Sequence, residues 1–102
     1  MVDVWKTLKK SRARAMYKVL VSGQPYEKGN LKIDFDGNTF TFYFRSDRPF
    51  LIYDMQMRRW EKVDCGEFEN TASLHQQRKA MYEAIEEFNE KVLGKTLHDS
   101  ID

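Results

Sequence analysis

Residues 31–46, LKIDFDGNTFTFYFRS, alternate apolar and polar side chains on both sides of an Asp-Gly pair. Leu31, Ile33 and Phe35 interleave with Lys32 and Asp34. After Asp36-Gly37-Asn38 the alternation resumes, with Phe40, Phe42 and Phe44 set against Thr39, Thr41, Tyr43 and Arg45. Successive strand side chains point to opposite faces, so a period of two marks a half-buried strand. Glycine accepts the positive φ of a tight primed turn. The segment therefore reads as a β-hairpin whose Ile33, Phe35, Phe40, Phe42 and Phe44 share one apolar face. Another part of the chain must cover that face.

The cover is legible near the end of the sequence. Leu74, Met81, Ile85, Phe88 and Val92 recur at helical spacing, while Glu83, Glu86, Glu87 and Glu90 lie mostly off that stripe. The helix is expected to begin between Asn70 and Ser73: Asn70, Thr71 and Ser73 all suit its N-cap, and Ser73 with Gln76 fits a capping box. Gly94 suits its C-terminal cap, with Lys91 and Lys95 beside the negative end of the dipole. Each buried Phe, Leu, Ile or Met contributes roughly 1.5–3 kcal/mol over exposure. The packing of this helix on the phenylalanine strand is thus the dominant folding contribution, and Phe42→Ala is expected among the worst substitutions.

The remaining elements follow from breakers and patterning. Residues 2–20 read as a helix with Asp3 near its start and Trp5, Leu8, Ala15, Met16, Val19 and Leu20 on one broad stripe. Tyr17 to Val21 would also suit a strand. Ser22-Gly23-Gln24-Pro25 ends the element, and a loop through Lys28-Gly29-Asn30 leads to the hairpin. Phe50 to Tyr53 is a third strand, and Arg59 to Val63 a fourth. Between them Asp54 begins a longer turn, its side chain placed to accept from the backbone ahead. The tail, Thr96 to Asp102, is expected to fray. The architecture predicted is one α+β domain over residues 1–102. A four-stranded antiparallel sheet carries a long C-terminal helix packed on one face, with a basic N-terminal helix alongside.

Charge is uneven although the net is only +1. Residues 1–20 hold Lys6, Lys9, Lys10, Arg12, Arg14 and Lys18 against Asp3, a net of +5, whereas residues 67–102 have four basic and eight acidic groups, a net of −4. Opposite ends favour contact within a chain or between two chains, so a homodimer is one expected state. Cys65 is the only cysteine, which suits a reducing compartment. MVDVWKTLKK lacks the apolar core of a secretory signal, and no apolar run approaches a membrane span. The expected location is the cytoplasm.

Candidate chemistry is sparse. A Cys65–His75 pair would suit a nucleophile and base or two zinc ligands, but the spacing matches no standard zinc pattern, and His98 is the only other histidine. Asp34, Asp36, Asp47 and Asp54 fall at strand ends or turns, against a paired acid–base role. There is no glycine-rich phosphate loop and no Gly-x-Ser-x-Gly elbow. A non-enzymatic protein with no metal or cofactor is therefore expected. Arg45, Arg48, Arg58 and Arg59 with Tyr43, Tyr53 and Trp60 form an arginine–aromatic set typical of protein interfaces, the aromatics being expected on the second, partly wet face of the sheet. The cations of the N-terminal helix, with Trp5 and Tyr17 among them, suit a phosphate backbone with stacked bases as the alternative. Against that stand the near-neutral total and the absence of a nucleic-acid module motif.

At Phe68-Glu69-Asn70-Thr71-Ala72-Ser73-Leu74-His75 the chain resembles small, mostly uncharacterised bacteriophage proteins. In these a β-hairpin is followed by an aromatic residue, a Ser/Thr cluster and a histidine where a helix begins. Phe68, Thr71, Ser73 and His75 match. Ala72 departs from the second threonine usually seen, and Leu74 replaces a polar residue. The resemblance implies a phage-encoded accessory protein and a capping role for Thr71 and Ser73. Together these readings predict a small interaction protein that binds a host or virion protein through its arginine–aromatic surface or its N-terminal helix.

Overall fold

The computed structural model of the chain describes residues 4–94. Two helices, α1 (Val4–Thr7) and α2 (Ser11–Ser22), precede five strands: β1 (Tyr26–Lys28), β2 (Leu31–Phe35), β3 (Thr39–Phe44), β4 (Pro49–Asp54) and β5 (Arg59–Lys62). A 3-10 turn, Gly66–Phe68, leads to α3 (Ala72–Phe88), which continues as a π-helical turn, Asn89–Leu93. The tail, Asp3, Lys95 and His98 lie outside the described residues. The strands form one antiparallel meander in the order β1-β2-β3-β4-β5.

The hairpin forms as its alternation dictates. Ile33 pairs with Phe42 and Phe35 with Phe40. Gly37 takes φ +98°, and the Asp36 carboxylate accepts from Asn38 N at 3.1 Å and Thr39 N at 2.8 Å. Glycine at the first central position is the arrangement of a II′ hairpin. Those two bonds hold the Asp36 carboxyl below the usual carboxylate range, Thr39 contributing most. Asp54 likewise accepts from Met57 N at 2.9 Å in the β4–β5 turn.

Both helices pack on the same face of the sheet. One core contains Leu8, Met16 and Val19 from the N-terminal segment, Ile33, Phe40, Phe42, Leu51 and Tyr53 from the sheet, and Leu74, Met81, Ile85, Phe88 and Val92 from the C-terminal helix. The apolar stripe read from the sequence is thus the buried stripe of α3. Phe40 lies at the centre. Its ring meets Phe35, Phe42 and Tyr53 in stacked contacts and Phe88 edge-on at 5.5 Å. The opposite sheet face is uncovered among the described residues.

Two expectations are corrected, and the caps of α3 are resolved. The sheet has five strands rather than four, because Tyr26–Lys28 pairs with Leu31–Ile33 across a Gly29-Asn30 turn in which Gly29 adopts φ +61°. Three residues are too few to show a period of two. The N-terminal helix is not continuous over 2–20 but breaks at Leu8-Lys9-Lys10. Glu87 of α3 accepts from Lys9 N and Lys10 N, and Lys91 Nζ donates to the Thr7 carbonyl at 2.8 Å. Backbone groups exposed by the break thus find partners on α3. Burial works against ionising the Glu87 carboxyl, but the Lys10 and Lys9 N–H groups and the Lys91 ammonium outweigh it and hold its pKa below the ordinary value. Of the three N-caps expected for α3, Thr71 is the one used: its Oγ1 accepts from Leu74 N at 3.3 Å, and Ser73 lies inside the helix. Gly94 is the C-cap of the π turn, with right-handed helical angles and its N–H donating to the Asn89 carbonyl.

The joint between α3 and the far end of the sheet is ionic. Arg78 is 3% exposed. Its guanidinium donates to the Phe50 carbonyl at 3.2 and 3.3 Å, to the Val63 carbonyl at 2.9 Å and to Glu69 at 3.0 and 3.2 Å. Phe50 reaches this position through a bulge: Phe42 pairs with Leu51 and Tyr43 with Pro49, leaving Phe50 as the extra residue. Glu69 also accepts from Cys65 N at 2.9 Å and pairs with Lys62 at 3.4 Å. These bonds, the Cys65 N–H foremost and Arg78 next, pull the Glu69 pKa to about 2. A carboxyl with a lowered folded-state pKa contributes stability that is complete above its unfolded value and lost as pH falls through its folded value. Thermal stability is therefore expected to fall as the pH drops from the ordinary glutamate range, about pH 4.3, to about pH 2. Glu69→Gln should flatten the part of that slope not due to Glu87 and Asp36. An unchanged slope in the variant would show that the carboxylate is not held as described.

Candidate functional site

The seven arginine–aromatic residues do not form one surface. Tyr53 is fully buried, its hydroxyl donating to Asn89 Oδ1 where α3 passes into the π turn. Burial pushes its pKa up to about 12, against the opposing influence of Arg58. This corrects its assignment to a wet face. Trp60 pairs with Tyr53 and so lies on the helix side of the sheet, stacked on Tyr82 of α3 at 4.3 Å. Tyr43 lies on the opposite face beside Lys32, whose ammonium is 5.4 Å from its ring. Arg45 takes φ +55° after β3 and crosses the Phe44 ring at 5.0 Å. Arg48 packs against Gly66, where an added Cβ would come within 2.7 Å of its Nη1. Arg58 donates to the Leu93 carbonyl at 3.2 Å. Only Arg58, Arg59 and Trp60 stay together, at the open edge of β5.

The six N-terminal cations are also divided. Arg12 donates to Gln77 of α3 at 2.8 Å, and Arg14 to the Leu8 carbonyl at 2.8 Å. Lys10 pairs with Glu83 at 3.8 Å. Lys6, Lys9 and Lys18 are exposed. Lys10, just before α2, thus meets the acidic face of α3 within one molecule.

A concave apolar site lies where α1, α2 and the start of β1 converge. This groove of about 530 Å³ is lined by Trp5, Tyr17, Val21, Pro25 and Tyr26, with Lys18 at its rim. The Trp5 and Tyr17 rings are 6.3 Å apart, and Arg14 and Lys18 approach the Trp5 ring at 5.2 and 5.3 Å. Val21 is 68% exposed on its wall. The break after α1 permits this geometry, because it lets Trp5 fold beside Tyr17. Trp5 and Tyr17 stand out in the sequence only as aromatics among cations. The place of Val21, Pro25 and Tyr26 beside them depends on the helix break and on β1, neither of which the residue pattern displays.

Cys65 is buried, and burial raises its pKa, so the thiol is held in its protonated form. His75 is exposed on the first turn of α3, and no hydrogen bond joins it to Cys65. Among the described residues no cluster of His, Cys, Asp or Glu has the arrangement of a metal site, and no helix is long and apolar enough to cross a membrane. No protein-family model, curated protein or solved structure matches the chain.

Proposed function

We propose that the protein is a small non-catalytic interaction module that takes an apolar, acid-flanked protein segment into the groove of Trp5, Tyr17, Val21, Pro25 and Tyr26. The groove itself carries this reading: it is concave, built mainly of aromatic and aliphatic side chains, and bordered by the Lys18 ammonium. Aromatic anchors in desolvated pockets dominate the energetics of protein contacts, and cations around them select acidic partners and speed encounter. Displayed peptides with one or two large apolar residues between acidic ones should bind and perturb Trp5 fluorescence in a Trp60→Phe background. Val21→Glu, at an exposed position, should cost about tenfold or more in affinity without changing the fold. Peptide binding that Val21→Glu leaves intact would remove the groove from the function.

The alternative, nucleic-acid binding through the N-terminal cations, has fewer residues to draw on. Arg12 and Arg14 are engaged inside the fold and Lys10 pairs with Glu83, leaving Lys6, Lys9 and Lys18 for phosphates. Such binding would fall steeply with salt. A low-salt gel shift abolished by Lys9→Glu with Lys18→Glu would favour it over the peptide reading.

A further inference from the structure

We propose that the open edge of β5 pairs with β5 of a second copy, antiparallel and centred on Trp60. This does not rest on the groove, which lies at the other end of the sheet. Val63 N donates to the Phe50 carbonyl at 3.1 Å, a bond that flanks the Leu51–Lys62 pair and marks it as a non-hydrogen-bonded pair of the β4–β5 ladder. Antiparallel pairs alternate, so Arg59 and Glu61 direct their main-chain groups toward β4, and Trp60 and Lys62 direct theirs outward. No strand among the described residues takes that edge.

The side chains select both the partner and the register. In an antiparallel two-fold pairing, facing residues must lie on the same face of the sheet. With Trp60 opposite its own copy, the outward main-chain groups of the two tryptophans exchange both hydrogen bonds. Arg59 of each chain then faces Glu61 of the other, which gives two opposite-charge pairs on the uncovered sheet face. Neither residue enters an ion pair within the chain among the described residues. Sliding by two residues sets Arg59 on Arg59 or Glu61 on Glu61. Sliding by one puts the tryptophan against the wrong face. On the helix side, Trp60 is 48% exposed with Tyr82 behind it, so two such stacks meet across the axis. The flanking Arg58–Lys62 contact brings like charges together, but Arg58 is held by the Leu93 carbonyl and Lys62 by Glu69. Charged residues on a short edge ordinarily discourage pairing. Here their order along Arg59-Trp60-Glu61-Lys62 admits one partner strand, its own.

A four-residue edge implies a weak dimer, with Kd on the order of 0.1 mM. Sedimentation equilibrium from about 0.01 to 1 mM should show mass rising from 12.2 kDa toward twice that value. Arg59→Glu and Glu61→Arg should each weaken association by about tenfold or more, since each creates two like-charge pairs. The double variant should restore association, because the pairs re-form with signs exchanged. Both positions are exposed, so far-UV circular dichroism should not change. A monomer at every concentration overturns the proposal. So does a dimer indifferent to the single changes, or one that the double swap fails to restore.

Discussion

Replacing Arg78 with alanine is expected to lower stability by about 3–5 kcal/mol, the range for removing one partner of a buried ionic network. The guanidinium joins three elements at once. It satisfies the carbonyls of Phe50 and Val63 and anchors Glu69, which in turn holds the Cys65 N–H. Alanine leaves the Val63 carbonyl without this donor, and buried acceptors that lose a partner bear their full desolvation cost. For a domain near 100 residues, each kcal/mol moves Tm by roughly 4–8 °C, so the loss should exceed about 10 °C. Arg78→Lys keeps the charge but not the planar fork that spans Phe50, Val63 and Glu69 together, so it should recover only part of the loss. Arg78→Leu with Glu69→Leu should be milder than either single change would suggest, because it leaves no uncompensated charge. Urea denaturation of the parent and of these variants, the two leucine single changes included, measures this directly. An Arg78→Ala midpoint within about 1 kcal/mol of the parent would show that the network is ornamental to the fold.

Nothing in the residue pattern announces Arg78. It lies on α3 between Gln77 and Lys79, in a run that reads as a polar helix face. Its burial depends on a bulge that turns the Phe50 carbonyl toward α3. The bulge is equally hidden, because Pro49-Phe50-Leu51 shows an apolar run but not which residue is supernumerary. By contrast, the hairpin and the stripe of α3 are properties of local backbone period. They are legible because period two or 3.6 needs no knowledge of distant partners. The helix break at Leu8-Lys9-Lys10 is stabilised by Glu87 and Lys91, far along the chain, and contains neither glycine nor proline to mark it. The arginine–aromatic surface dissolves for the same reason. Residue type suggested an interface, but the face that Tyr43, Tyr53 and Trp60 occupy depends on register, and one residue of register exchanges the two faces. The groove at Trp5 is a consequence of the break and of β1, so it could not precede them.

Phe40→Ala should match or exceed Phe42→Ala, although the strand alone ranks them equally. Both rings are fully buried, and loss of a core phenylalanine costs about 3–5 kcal/mol. They differ in what surrounds the cavity. Phe42 contacts Phe40 and Phe50 within the sheet layer, and its neighbours include a bulge that offers some freedom to relax. Phe40 has sheet rings on three sides and Phe88 edge-on above, so it connects the hairpin to α3 directly. Aromatic pairs add roughly 0.5–1.5 kcal/mol beyond area burial, and Phe40 forfeits more of them. A cavity there also sits beside the Tyr53–Asn89 hydrogen bond that fixes the start of the π turn. Phe40→Ala should therefore speed amide exchange in the last turns of α3 as well as lower the global midpoint, whereas Phe42→Ala should chiefly lower the midpoint. Phe40→Leu, which refills most of the volume without the ring contacts, separates cavity from aromatic contributions and should recover about half of the loss. If Phe40→Ala unfolded no more readily than a surface substitution, the helix would not be held to the sheet through this ring. The layout of the core would then have to be redrawn around Phe50 and Arg78.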